Sequence, residues 1–357
     1  MTQRKFMRSD NPYHSDTRST EQIKFKKPSV LHQLHADKIN VSKAESLIGQ
    51  NRIANSALSL LSIIFLLSLL TGCNSGTEVV EEKKELTKVD SMFTALDNTN
   101  VDFINQLTFN GDFNILEYLY YYNGGGVARG DINNDGLADI FFSGNEVSNR
   151  LYLNRGDFKF EDITKKAGLT TENTWSTGVS MVDINNDGWL DIYVCVLGDF
   201  KIYHGNNLLY INQKDGTFLE SATAYGLDFS GLSTHSAFFD YDLDGDLDMY
   251  LLNHSFHDVN SYTSAQKREI CDDKTGDRLY ENLANEGKQQ FVEVTAKAGI
   301  YSSHLGYGLG IGVSDINGDH WPDIYVSNDF HENDYLYINQ QDGTLKEKAT
   351  ESFGHQT

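Results

Sequence analysis

The chain is poor in the residues that most often dictate architecture. Three cysteines in 357 residues cannot staple a disulfide scaffold. Three prolines leave no Pro-rich linker or polyproline segment. Basic residues are scarce: 29 Lys and Arg stand against 51 Asp and Glu, a net charge of −22. A protein that coats DNA or RNA needs clustered cations on phosphate, so that class is excluded. The one strongly apolar run, Ala57 to Leu70, is fourteen residues; at ~1.5 Å per residue it is short for a ~30 Å hydrocarbon core. What the chain does have is 30 Gly, 19 Tyr and 20 Phe, enough turn formers and aromatic mass for a packed domain and against wholesale disorder.

The N-terminal part carries the features of export. Arg52 precedes the apolar run, and Leu70-Thr71-Gly72-Cys73 follows it. A basic flank, a short apolar stretch and small residues at a cut site describe a signal peptide. The last four residues resemble a bacterial lipobox, which implies lipidation of Cys73 and an exported lipoprotein at the outer membrane, cell surface or periplasmic face. The expected divisions are 1–56, an extension whose length suggests a mis-assigned start; 57–73, signal and lipobox; 74–99, a polar tether; and 100–357, the folded repeats. Loss of residues 1–72 leaves 19 basic and 46 acidic residues, a net charge of −27.

Those carboxylates are grouped. The segment 131–139 reads DINNDGLAD, and it returns as DINNDGWLD at 183–191, DYDLDGDLD at 240–248 and DINGDHWPD at 315–323. Acceptor side chains fall at positions 1, 3, 5 and 9: Asp131, Asn133, Asp135 and Asp139; Asp183, Asn185, Asp187 and Asp191; Asp240, Asp242, Asp244 and Asp248; Asp315, Asn317, Asp319 and Asp323. Ca²⁺ takes six to eight hard oxygen ligands, and a tight loop aims alternate side chains inward at this spacing. These sixteen residues are therefore the expected metal ligands, with Ca²⁺ as the cofactor and the seventh carbonyl completing the set. Glycine at position six permits positive φ; His320 replaces it in the fourth copy. Solvated Asx turns are the plain alternative, less attractive for four copies in register. An EF-hand needs Glu at position twelve, where this chain has Phe142, Val194, Leu251 and Val326.

Apolar, β-branched and aromatic runs after each loop, such as Ile192-Tyr193-Val194, read as strands. Each is followed by Leu-Tyr-x-Asn, at 151–154, 209–212, 279–282 and 336–339, and by a further strand such as Phe160-Glu161-Asp162. With the strand before each loop this makes four strands per unit, and four-stranded units repeating at this interval describe propeller blades. The residues resemble the FG-GAP or VCBS repeats of integrin-like β-propellers, and among them the lipoproteins related to the cartilage acidic protein and ASPIC/UnbV group. The resemblance implies an all-β propeller of four-stranded blades with calcium loops. It also implies about seven blades, so four loops suggest a partial array or truncated ring.

Spacing varies at one place. From the last loop Asp to the next Leu-Tyr the distances are 12, 18, 31 and 13 residues, so length is added between second and third strands, on the face away from the loops. Long connections on a rigid scaffold commonly carry binding; the expected recognition segment is 254–278, with Tyr262 an exposed aromatic. His254, His257, Asp258 and Cys271 match no firm zinc template. Cys195 and Cys271 either pair or remain free, and Arg129-Gly130-Asp131 is a tripeptide whose Asp is a loop ligand. The expected function is a calcium-stabilised, membrane-anchored, non-catalytic binding or adhesion module for a glycan or a protein, with no nucleic-acid role. The alternatives are a propeller-based polysaccharide lyase or hydrolase, and a fragment completing a ring with another chain.

Overall fold

The computed structural model describes residues 93–109, 111, 113–255, 268, 270–330 and 332–354. Cys73, the signal segment, most of the tether, His257, Asp258 and Tyr262 lie outside them. Among the described residues no helix is long and apolar enough to cross a membrane.

Among the described residues sixteen strands form four antiparallel sheets of four. Blade one holds β1 (Val127–Gly130), β2 (Asp139–Phe142), β3 (Arg150–Asn154) and β4 (Phe160–Asp162). Blade two holds β5 (Ser176–Val182), β6 (Asp191–Val196), β7 (Leu208–Asn212) and β8 (Phe218–Glu220). Blade three holds β9 (Ser233–Phe239), β10 (Asp248–Asn253), β11 (Arg278–Asn282) and β12 (Phe291–Glu293). Blade four holds β13 (Gly308–Ser314), β14 (Asp323–Asn328), β15 (Tyr335–Asn339) and β16 (Leu345–Glu347). Order within each sheet follows the chain, and the first strands of successive sheets touch in the sequence β1, β5, β9, β13. This is a partial β-propeller array.

Three apolar cores lie between blades rather than within them. Phe141, Leu151 and Leu169 meet Val194, Val196 and Tyr210; Tyr193, Cys195 and Leu227 meet Met249, Leu251 and Phe291; Tyr250, Leu252 and Ile300 meet Ile324, Val326 and Tyr335. Strand alternation explains this, because successive side chains of a central strand enter opposite cores. β6 and β10 are accordingly buried at every position. Among the described residues blade four has a packed neighbour on one side only, and Leu309 and Ile316 are about half exposed.

The inner strands approach closely enough to require glycine. A Cβ on Gly178 would stand 2.4 Å from the Thr234 carbonyl oxygen, and one on Gly126 would stand 2.7 Å from that of Thr177. Gly126 N–H uses the gap to donate to Thr177 O at 2.7 Å.

Two elements go beyond the four-stranded repeat. Each outer strand runs into a helical turn, Thr164–Ala167, Ala222–Tyr225, Thr295–Ala298 and Ala349–Phe353, which keeps the outer strands to three residues each. In the first three, a following glycine in the left-handed region lets the next N–H donate back to the first helical carbonyl, as Leu169 does to Thr164 at 3.0 Å. The signal was visible as Ala-Gly-Leu, Tyr-Gly-Leu and Ala-Gly-Ile, at 167–169, 225–227 and 298–300. The second element is the segment ahead of β1, which covers blade one. Phe103 stacks on Phe142 with ring centroids 5.0 Å apart, Tyr152 Oη donates to Asp102 at 2.6 Å, and Phe113, Tyr118 and Tyr121 pack with Trp175 in a fourth core.

Candidate functional site

Each carboxylate loop joins the first and second strands of a blade. The residue before position 1 pairs with the Asp at position 9: Gly130 with Asp139, Val182 with Asp191, Phe239 with Asp248 and Ser314 with Asp323. The ladder therefore fixes the two ends, and the intervening residues must turn within one tight loop. Position-six Gly136, Gly188 and Gly245 have φ between 84° and 98°, and His320 holds the same region at 72°.

The first Asp organises the turn. Asp131 accepts Asp135 N–H at 3.1 Å and Gly136 N–H at 2.7 Å; Asp183, Asp240 and Asp315 do the same in their loops. Position 5 accepts the N–H of position 7, as Asp187 does from Trp189 at 3.0 Å. Lys214 Nζ lies 3.3 Å from Asp187 Oδ2.

Position 9 differs from the others in its surroundings. Asp139, Asp191, Asp248 and Asp323 are essentially fully buried. One oxygen of each accepts the N–H of position 2, from Ile132, Ile184, Tyr241 and Ile316. The other accepts the N–H of the Leu-Tyr-x-Asn asparagine, from Asn154, Asn212, Asn282 and Asn339, at 2.7–2.8 Å. Burial pushes Asp191 up to about 7 and Asp248 up to about 8, partly offset by these N–H bonds.

The asparagine of Leu-Tyr-x-Asn does more than mark a strand. Its side chain donates to the carbonyl of position 8, Ala138, Leu190, Leu247 or Pro322. In two blades it also reaches the preceding blade: Asn212 Nδ2 donates to Ile132 O and Asn339 Nδ2 to Tyr241 O, both at 2.8 Å. A second polar position stands two residues before the leucine of each Leu-Tyr pair. Asn149, Asn207, Asp277 and Asp334 accept N–H from Gly144, Val196, Asn253 and Asn328. The pattern Asn/Asp-x-Leu-Tyr-x-Asn was its signal.

The third loop is the most acidic. Asp242 replaces the Asn of the other copies, and ligand atoms of Asp240, Asp242 and Asp244 lie within 4.8 Å of one another. Asp242 Oδ1 is buried without a hydrogen-bond partner. Burial, then Asp244, pushes this carboxyl up to about 6. Hard oxygen donors, mutual repulsion and an orphaned buried carboxylate oxygen fit a divalent cation. Asp246 at position 7 has a second buried, unpartnered oxygen.

The FG-GAP-like repeat family matches residues 131–194 and 196–251. Those residues carry FG-GAP-like repeats. Each matched FG-GAP unit starts in a loop or second strand and ends in the second strand of the next blade, so the sequence repeat is out of phase with the blade. Cartilage acidic protein 1 of Xenopus tropicalis is 28% identical over 207 residues, 58% of this chain and 29% of the relative. That of Homo sapiens is 28% identical over 209 residues, 58% and 28%. The match thus spans under a third of these relatives' length. A solved structure of an Agrocybe aegerita lectin, described for recognition of non-reducing terminal N-acetylglucosamine, is 16% identical and covers 62% of this chain and 65% of that chain at a TM-score of 0.27. A superposition that loose carries no argument.

His254 is buried and engaged, with Nε2 2.9 Å from Tyr118 Oη and Nδ1 2.8 Å from Ser255 O; it is not poised for zinc. Cys195 is a buried free thiol in β6 and Cys271 an exposed one. In the segment 254–278, Thr275, Asp277 and Arg278 are buried, so its C-terminal end belongs to the scaffold rather than to a projecting loop.

Proposed function

We propose that this chain is a calcium-stabilised β-propeller, anchored at the cell envelope, that acts as a non-catalytic binding module for a glycan or a protein. The observation that carries this reading is the division between the two ends of the sheets. Four equivalent carboxylate loops occupy one end, with Asp240, Asp242 and Asp244 already converging; the connections of variable length, between second and third strands, occupy the other. Positions 1, 3, 5 and 9 of each loop would hold Ca²⁺. When bound, the ion supplies positive charge that keeps the loop carboxylates ionised and offsets their repulsion. The chain's own residues do the remainder: position 1 fixes the turn, and position 9 ties it to the third strand. Envelope anchoring rests on Leu70-Thr71-Gly72-Cys73.

The test uses the protein with and without Ca²⁺. Chelation with EGTA is expected to lower the Tm by several degrees and added Ca²⁺ to restore it, because a ligand that binds only the native state stabilises it by mass action. Incubation with a polysaccharide panel is expected to give retention without new reducing ends. An unchanged melting curve would remove calcium from the reading, and new reducing ends would make the protein an enzyme.

A further inference from the structure

The four carboxylate loops are alike in spacing but not in charge. Residues 131–139, 183–191 and 315–323 hold three Asp each, and residues 240–248 hold five. The two added are Asp242 at position 3, where the others have Asn, and Asp246 at position 7, where they have Leu137, Trp189 and Trp321.

The other loops meet their position-5 carboxylate with a donor from within the protein. Asn133 Nδ2 donates to Asp135 Oδ2 and Asn317 Nδ2 to Asp319 Oδ2, both at 3.0 Å. Lys214 Nζ lies 3.3 Å from Asp187 Oδ2, and Gln341 Nε2 donates to Asp319 Oδ2 at 3.1 Å. Lys214 and Gln341 come from the turn between third and fourth strands. An ionised Asp242 has no N–H to offer in place of the asparagine.

Blade three has a different turn at that place. Five residues separate Asn154 from Phe160, Asn212 from Phe218 and Asn339 from Leu345, but eight separate Asn282 from Phe291. The longer turn holds the 3₁₀ helix Ala284–Glu286. It brings Asn285 to the loop, where its N–H donates to Asp246 Oδ2 at 3.0 Å and its Nδ2 to the Asp244 carbonyl at 2.8 Å. The turn's Lys288 is paired with Glu286 at 2.7 Å. Asp246 is thus held in place by a neutral group.

Two carboxylate oxygens of this loop are buried and meet no donor, Asp242 Oδ1 and Asp246 Oδ1. Asp246 is 7% exposed, and Asp244 and Asp240 repel its carboxylate. A buried charge is costly until an opposite charge compensates it. Oxygens closed to water still suit an ion, because Ca²⁺ stands about 2.3–2.6 Å from its ligands, nearer than a hydrogen-bonded water at about 2.7–2.8 Å.

We propose that the third loop is the tightest metal site of the array, with the Asp246 carboxylate joining positions 1, 3, 5 and 9 around one Ca²⁺ ion. Affinity in such loops is tuned by the number of charged ligands and by rigidity, and this loop has more of the first and a brace for the second. The proposal rests on the calcium reading above and sets one loop apart from the other three.

The test is calorimetric titration of Ca²⁺ into the metal-free protein, with hydrogen exchange followed by mass spectrometry at up to one equivalent of metal. One site is expected to bind about tenfold or more tightly than the rest, and the first equivalent should protect 240–248 before 131–139, 183–191 and 315–323. Asp246→Asn keeps the side chain's size and its acceptor for Asn285, and removes the charge. It is expected to weaken the tight site about tenfold or more and to leave the number of weaker sites unchanged, with the Tm in EGTA equal or raised. The order of protection is read on the unmodified protein and does not depend on how the variant folds. Four equivalent sites, first protection at another loop, or a tight site indifferent to Asp246→Asn would overturn the proposal and leave the calcium reading standing. Neither heat nor protection at millimolar Ca²⁺ would remove both.

Discussion

Replacing Asp277 with Asn is expected to stabilise this protein at neutral pH and to leave it unchanged in acid. Asp277 is 3% exposed; its Oδ1 accepts Asn253 N–H and its Oδ2 accepts the Tyr250 hydroxyl, both at 2.8 Å. Burial pushes the carboxyl up to about 7 from an ordinary value of 3.8. The folded state therefore binds more protons than the unfolded chain between about pH 4 and 7, so stability falls as pH rises through that window. The stabilising contribution is complete below about pH 4, and ionisation costs on the order of 4 kcal/mol once pH exceeds 7. Asparagine removes the titration. The second blade shows that the swap can be accommodated: Asn207 accepts Val196 N–H at 2.8 Å through Oδ1 and donates to Tyr193 Oη at 3.0 Å through Nδ2. Thermal unfolding in EGTA by circular dichroism from pH 4 to 8 is the assay. The two proteins are expected to melt together near pH 4, with the variant ahead by roughly 8–16 °C at pH 8. A gap that does not change with pH, or a variant less stable at pH 8, would refute the argument.

Further outcomes follow from the same geometry. Asp242→Asn is expected to raise the Tm in EGTA, by removing a carboxylate from the Asp240–Asp244 cluster, and to reduce the increment gained on adding Ca²⁺; calorimetry with and without the metal checks both. Asn212→Ala should cost about 3 kcal/mol, because it strips the donors from the Ile132 and Leu190 carbonyls, and urea denaturation should show a larger loss than for Asn154→Ala. Gly178→Ala places a Cβ 2.4 Å from Thr234 O and should cost about 1–3 kcal/mol, measured the same way.

The loops and the central strands were legible because their signals are local. Acceptors at fixed spacing, glycine at the sharp position and β-branched or aromatic runs each act within about ten residues. The partners of those residues were not legible. Asp139 and Asn154 are each marked by the repeat, but only the ladder between β2 and β3 brings the carboxylate to the asparagine N–H. The fourth core was hidden for a similar reason: Phe113, Tyr118 and Trp175 carry no period, and they meet because the segment ahead of β1 packs with Leu197, Leu232 and Tyr307, buried residues that flank blades two, three and four. Helical turns after the outer strands are too short to show a helical period, and their glycine stops alone betrayed them.

The peptide unit at position 2 of a loop has two allegiances. Ile132 gives its N–H to Asp139 of its own blade and its carbonyl to Asn212 of the next, and Tyr241 does likewise with Asp248 and Asn339. Stability is thus passed between neighbours, as in a one-dimensional chain of coupled units. A loop loosened in one blade withdraws an acceptor from the next, so damage spreads along the array instead of remaining where it began. Amide protons of blade four, which has one packed neighbour among the described residues, should exchange before those of blades two and three, which have two.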